Sequence, residues 1–297
     1  VDIGFALEVC AKVLLYVPLL VAIGSSAARW LLLRRTAADF DGGSIMGLER
    51  SAAFTGLAAG CLIGPALCLR VWAHTFMVFG LEGAESWDSI RRIAFESRWG
   101  YQWKFQAGAA AIYLVTCAAT CWRRVFWPCA TLAVAILTAT VPLLGHAAGS
   151  VARIALHTVH IFAAGVWLGT LAVVVLTPFS HSADAAGKQL SGGRIRLLLL
   201  AQFSPIAMSG AAIVVSAGAI MAWLYLNAVS DLWTTAYGQL LALKTALVGL
   251  VAICGYFNWQ RLRLRAPENT PRTIVTETIF ALAVVIVTAF VTETGHP

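Results

Sequence analysis

A helix needs about 20 apolar residues to cross the hydrocarbon core of a bilayer, and this chain supplies such a stretch eight times. The windows run from Phe5 to Leu33, Ser51 to Gly80, Gly100 to Cys121, Val125 to Gly145, Ile154 to Thr177, Leu197 to Leu226, Gly238 to Phe257 and Thr273 to Thr292. In lipid, backbone N–H and C=O groups must be satisfied within the protein, so windows of this kind fold as helices. The expectation is an all-α, polytopic membrane protein, a bundle of eight transmembrane helices with both termini outside. Its 297 residues could hold two soluble domains. With 60% hydrophobic and 12% charged residues and a mean hydropathy of +0.80, however, no polar stretch is long enough to be one. Residues 1–297 are therefore read as a single membrane unit. The first window begins with Asp2 and Glu8 and has no basic n-region, which predicts a retained helix and not a signal peptide.

Loop charge orients the bundle. Arg34, Arg35 and Arg50, then Arg123 and Arg124, then Lys188, Arg194 and Arg196, then Arg261, Arg263, Arg265 and Arg272 all follow odd-numbered windows. The positive-inside rule places these loops in the cytoplasm. The loop from Leu81 to Trp99 and the turn from Gly145 to Arg153 then face outward. The net charge of +7 is a by-product of topology, and nucleic acid is not an expected partner. Within the outer loop, Trp87, Ile90, Ala94 and Phe95 can share one face of a short interfacial helix, with Trp99, Tyr101 and Trp103 as belt anchors beside the lipids.

Ligating and ionisable side chains at membrane depth are costly, and each marks a candidate site. His146 lies at a helix exit, and His157 and His160 lie three apart just inside the next helix, on one helical face. Neutral imidazole is the commonest nitrogen ligand of copper and related metals, so these three are the candidate metal ligands, with His74 as a further one. Glu8, Lys12, Arg70 and Lys244 fall in the same outer layer and predict a polar cavity open to the outside.

Sulfur extends the candidate set. Met208 lies between Pro205 and Gly210 near mid-membrane, with Met221 further out, and a thioether suits Cu(I). The seven cysteines sit in or beside apolar windows and do not form a disulfide framework. Cys117 and Cys121, at i and i+4, are the pair with metal-ligand spacing, weighed against core packing.

Three segments carry a family resemblance. Leu156-His-Thr-Val-His-Ile-Phe-Ala-Ala-Gly-Val-Trp-Leu-Gly-Thr-Leu171, Phe203-Ser-Pro-Ile-Ala and Tyr237-Gly-Gln-Leu-Leu-Ala-Leu-Lys244 resemble the CopD (copper resistance D) family of bacterial inner-membrane proteins, from about Gly145 to Trp259. The resemblance implies an eight-helix protein of the inner (cytoplasmic) membrane, with both termini periplasmic, that transports copper, usually inward. It also implies a periplasmic copper carrier of the CopC type as partner, here a separate protein. The family's histidine helix maps onto His157 and His160, and its Tyr-Gly-x-x-Leu-x-x-Lys signature onto Tyr237, Gly238, Leu241 and Lys244.

The copper ion is thus the expected ligand. No nucleotide-binding loop or phosphorylatable ATPase motif occurs, so neither ATP hydrolysis nor an enzyme activity is expected. Two rival readings stay open. One is a membrane oxidoreductase binding haem b, for example a cupric reductase, with histidines as axial ligands and Arg and Lys beside the propionates. A two-haem relay would need a second histidine layer near the cytoplasm, which no window supplies. The other is a copper-binding or assembly protein that does not transport.

The orientation is open to direct test. A cysteine placed at Gly149 is expected to react with an impermeant thiol reagent in cells stripped of their outer membrane, and one at Ala266 is not. The reverse labelling pattern would invert the topology.

Overall fold

The computed structural model describes residues 3–145, 149–176, 182–184, 189–263 and 270–295. Among these residues ten helices carry the fold. They are α1 (Ile3–Ala27, continued through a π turn at Ala28–Leu32), α2 (Gly42–Glu85), α3 (Trp87–Arg91), α4 (Arg98–Thr120), α5 (Trp127–Thr140), α6 (Val151–Ala164, continued through a π turn at Gly165–Gly169 and on to Leu176), α7 (Gly192–Tyr225), α8 (Asp231–Thr234), α9 (Ala236–Arg263) and α10 (Thr270–Glu293). Among the described residues seven helices are long and apolar enough to cross a membrane: Ile3–Arg35, Gly42–Glu85, Arg124–Leu144, Val151–Leu176, Gly192–Tyr225, Ala236–Arg261 and Ile274–Glu293. The protein is all-α and multi-pass. The helix of the third window, α4, also forms, and its 23 residues reach about 34 Å at 1.5 Å per residue. It is less apolar than the rest because Lys104 and Gln106 interrupt it.

Local chemistry sets the helix starts. Asp41 caps α2 by accepting from the Ser44 N–H at 2.7 Å, Ser97 caps α4 by accepting from the Gly100 N–H at 2.9 Å, and Ser150 caps α6. Near its outer end α2 breaks at Gly80, whose φ of 72° suits a residue without a Cβ. A two-residue β pair, β1 (Ser182–Ala183) with β2 (Gln189–Leu190), lies in the α6–α7 connection, where a bridge from Asp184 to Phe40 ties that connection to the α1–α2 turn.

The outer loop departs from expectation. Residues Arg92–Glu96 wind as a π turn, which rotates the apolar face away from strict helical phase, so Ile93 and Ala94 are buried while Trp87 and Phe95 face outward. Trp99 and Trp103 turn inward, Trp103 donating to the Leu67 carbonyl at 3.1 Å.

The helix α1 is the hub, packing on α2, α5, α6 and α10. On one side Leu15, Leu19 and Ile23 meet Ile63, Leu67, Tyr113, Val134 and Leu137 of α2, α4 and α5. A second apolar core joins Trp167, Leu171, Ile195, Leu199, Phe203, Ile206, Val251, Ile274 and Val284 from α6, α7, α9 and α10. At the Arg-rich end, Glu49 of α2 receives Arg29 at 3.4 Å and Arg124 at 3.6 Å, clamping α1, α2 and the α4–α5 turn together.

The crossing of α1 and α6 is a contact of backbones. A Cβ on Gly169 would stand 1.8 Å from the Leu20 carbonyl oxygen, and one on Gly24 would stand 2.0 Å from the Gly169 carbonyl carbon. Small residues permit this approach, and dispersion between backbones stabilises it in lipid. Gly169→Ala is therefore expected to lower stability by about 1–3 kcal/mol or to abolish accumulation in the membrane. Gly64→Ala, with nothing within 4 Å of the added methyl, is expected to be neutral. Thermal melting of the purified variants checks this, and a Gly169→Ala protein as stable as the parent would contradict the crossing.

Candidate functional site

The outer ends of α6, α7 and α9 bring together the histidine pair and the Tyr-Gly-x-x-Leu-x-x-Lys signature. His157 and His160 sit two and three turns into α6 from the Ser150 cap. The Nε2 of His157 is 3.0 Å from the hydroxyl of Tyr225, the last residue of α7, and the Arg153 guanidinium lies 5.4 Å from the centre of the Tyr225 ring. The Nδ1 of His160 is 3.0 Å from the Val214 carbonyl oxygen. A carbonyl only accepts, so Nδ1 carries the proton and donates, leaving Nε2 of the neutral ring with its lone pair. Gly218 makes room for this: a Cβ there would lie 3.4 Å from Cε1 of His160.

Helix α9 completes the cluster. A Cβ on Gly238 would stand 1.9 Å from the Asp231 carbonyl oxygen, so the glycine is what lets α9 start tight against α8. That start buries Tyr237 with Met221, Tyr225 and Val291, flanked by Leu156 and Leu241. Lys244, two turns on, is close enough for its charge to act on His160, as is His157. The signature thus supplies one buried tyrosine, one close approach, one packing leucine and one cation to the histidine pair.

A second polar cluster gathers the remaining outer-layer residues around α1 and α2. Nδ1 of His74 is 3.0 Å from Oε1 of Glu8, and its ring stacks on Trp99 at 4.2 Å. Arg70 donates through Nη1 to Oε1 of Gln106 at 3.1 Å and lies over the same Trp99 ring. Lys12 forms an ion pair with Glu293 and donates to the Thr292 carbonyl at 3.1 Å. Glu8, Lys12 and Arg70 are buried and partnered, and none of their recorded contacts is with His157 or His160.

Among the described residues the predicted ligands do not all meet at one point. His146 lies outside the described residues. His74 is committed to Glu8 and Trp99. Among the described residues no group of three or more His, Cys, Asp or Glu side chains is placed to hold a metal ion. Met208 is 67% exposed on the outer surface of α7, whereas Met221 is buried beside Tyr225. The Pro205–Gly210 stretch keeps α7 helical, and the period of that helix turns position 208 outward. Cys117, 1% exposed, donates to the Ala53 carbonyl at 3.7 Å, and Cys121 to the Cys117 carbonyl at 3.9 Å. Both thiols have backbone acceptors in or beside the α2–α4 core, which accounts for them as packing groups.

Tyr225 and Gln106 were not among the residues singled out by sequence. An aromatic at a helix end reads as a lipid anchor, and only the three-dimensional pairing of α6 with α7 shows that Tyr225 turns to His157. The partner of Lys12 had a signal of its own, since a lysine inside a span needs an acceptor, but Glu293 is nearly the whole chain away.

Residues 197–291, which are α7 to α10 in the main, match the family described as Copper resistance protein D, CopD. The matched range begins after the histidine helix and runs on past Trp259, so it is shifted from the stretch that the three motifs suggest. The chain is also similar to the Copper transport protein CutJ of Bacillus subtilis (strain 168), with 24% identity over 216 residues, 70% of this chain and 39% of that protein. It thus spans about two fifths of that relative's length. No solved structure matches. The fold, the hydropathy and these two matches agree on a multi-pass inner-membrane protein, of which residues 197–291 match the CopD family.

Proposed function

We propose that this protein moves copper across the inner membrane, taking it up from a periplasmic carrier of the CopC type at the outer ends of α6, α7 and α9. The observation that carries the reading is the pair His157 and His160, one turn apart on α6, with the Nε2 lone pair of His160 left over after Nδ1 donates to Val214. Copper-related names on both the family and the similar relative support it.

His157 and His160 are the nitrogen donors that would hold the ion, with the Met221 thioether in the same buried neighbourhood. The charge that acts on His160 once His157 is a neutral donor is that of Lys244, with no carboxylate beside it. A cationic surround of this kind penalises a divalent ion more than a monovalent one, and imidazole with thioether suits Cu(I). Below the site, α7, α9 and α10 present an apolar layer that includes Val214, Leu247, Val248, Val251 and Val284. The membrane potential favours inward movement of a cation by about 2.3 kcal/mol per charge per 100 mV, so uptake requires no ATP.

Replacing His157 and His160 together with Ala is expected to weaken copper binding more than about 100-fold, beyond the range of outer-partner substitutions. Tyr225→Phe, which removes the hydroxyl on His157 Nε2, is expected to cost about 10–100-fold. Both follow from copper titration of the purified protein and uptake into vesicles. A double variant that binds and accumulates copper like the parent at equal expression would end the proposal.

The haem reading is separated by a spectrum. Protein purified without added metal is expected to lack an intense Soret band. A stoichiometric b-type spectrum, lost on changing His157 or His160, would make electron transfer and not copper transport the primary function.

A further inference from the structure

The α9–α10 hairpin carries a second polar station at its other end. From Lys244 to Asn258 α9 rises about 21 Å at 1.5 Å per residue, which brings Asn258 toward the Arg-rich end. There Nδ2 of Asn258 donates to Oε2 of Glu277 at 2.6 Å. Both side chains are buried, Asn258 at 6% and Glu277 at 4% exposure. The other amide atom, Oδ1 of Asn258, is inaccessible and has no hydrogen-bond partner. The carboxyl is pressed against α9, since a Cβ on Gly255 would lie 3.2 Å from Oε1. Val251, Ile274, Phe280 and Ala281 in the apolar core occupy neighbouring turns of the two helices.

Among the described residues no charge neutralises this carboxyl. On α9 the Cys254 thiol is near enough to feel Glu277, and Arg261, one turn beyond Asn258, makes no ion pair with it. On α1, Glu8 and Lys12 are engaged with His74 and with Glu293. On α7, Arg196 donates to the Val174 carbonyl. The Asp231 carboxylate of α8 accepts from the N–H groups of Asn227 and Ala228 at the outer end. An ionised Glu277 would be a charge in an apolar layer held by one hydrogen bond, beside an amide oxygen that holds none, and both conditions are costly.

We propose that Glu277 and Asn258 form a proton-binding site in the cytoplasmic half of the bundle, occupied when the carboxyl is neutral. A proton from cytoplasmic water bonds to Oε1, the carboxylate charge goes from minus one to zero, and no electrons are exchanged. Amide and carboxyl are planar groups of matching bite, so with Nδ2 on Oε2 the new O–H turns to Oδ1 and closes a two-bond ring. One proton thereby removes the buried charge and supplies the donor that Oδ1 lacks. A water molecule on Oδ1 would leave the charge in place. On release the proton returns to cytoplasmic water and the carboxylate keeps its single bond from Nδ2. The site is independent of the copper reading and draws on none of the outer histidines.

Infrared spectroscopy of the full chain in lipid nanodiscs tests this without copper. At neutral pH the parent is expected to show the C=O stretch of a protonated, hydrogen-bonded carboxylic acid. Glu277→Gln, which keeps a two-bond pair with Asn258, should lose that band, and Asn258→Leu should move it to higher frequency. Absence of the band from the parent at neutral pH, which would mean an ionised carboxylate holding water or a metal ion, overturns the proposal, as does a band that persists in Glu277→Gln. If Glu277→Gln fails to reach the membrane, Asn258→Leu decides, because a band it leaves unmoved belongs to another carboxyl.

Discussion

Every polar side chain that this bundle carries into the membrane must find its partner inside the protein, because lipid offers none. That demand organises the structure. Lys12 reaches Glu293 and Thr292, Glu8 reaches His74, Arg70 reaches Gln106, and Asn258 reaches Glu277. Each pair joins two helices, so the polar contacts fix which helices are neighbours while the apolar cores on the two sides of α1 fill the space between them. Removing one member of such a pair leaves the other buried and unsatisfied, which costs more than the bond itself contributes.

The outer cluster differs from these in one respect. His157 and His160 are held by a tyrosine hydroxyl and a backbone carbonyl, neither of which neutralises a charge, and the cations Arg153 and Lys244 stand nearby. Elsewhere in the outer layer Lys12 and His74 each face a carboxylate. Here orientation is fixed by hydrogen bonds, and the Nδ1–H donation to Val214 leaves the Nε2 lone pair of the neutral His160 ring available, as the proposed copper site requires.

Much of the fold was legible in the sequence because the windows have the length the bilayer demands, and all eight appear as helices. The third is more polar because Lys104 and Gln106 serve contacts to Phe95 and Arg70. The phase of the outer loop was not legible, since a π turn leaves no mark in composition and shifts which residues share a face. The site was legible in part. Spacing alone put His157 and His160 together, but His74, equally polar and in the same layer, turned to Glu8 instead, and depth in the membrane does not reveal direction around a helix. Met208 and Met221 show the same limit, since chemistry made both candidate ligands and helical phase sends one outward and one inward.

The Lys12 contact also bears on how the protein is made. Lys12 and its acceptor Thr292 are 280 residues apart, with the rest of the bundle between them. Helix α1 leaves the ribosome before α2 to α10, yet the partners of its buried lysine are in the last turn of α10. During synthesis the ammonium has only water and headgroups at the membrane edge, which its flexible stem can reach. The hub of the bundle is synthesised ahead of the helices packed around it and is completed only by α10, so emergence of α10, not insertion of α1, sets the moment at which this packing can close.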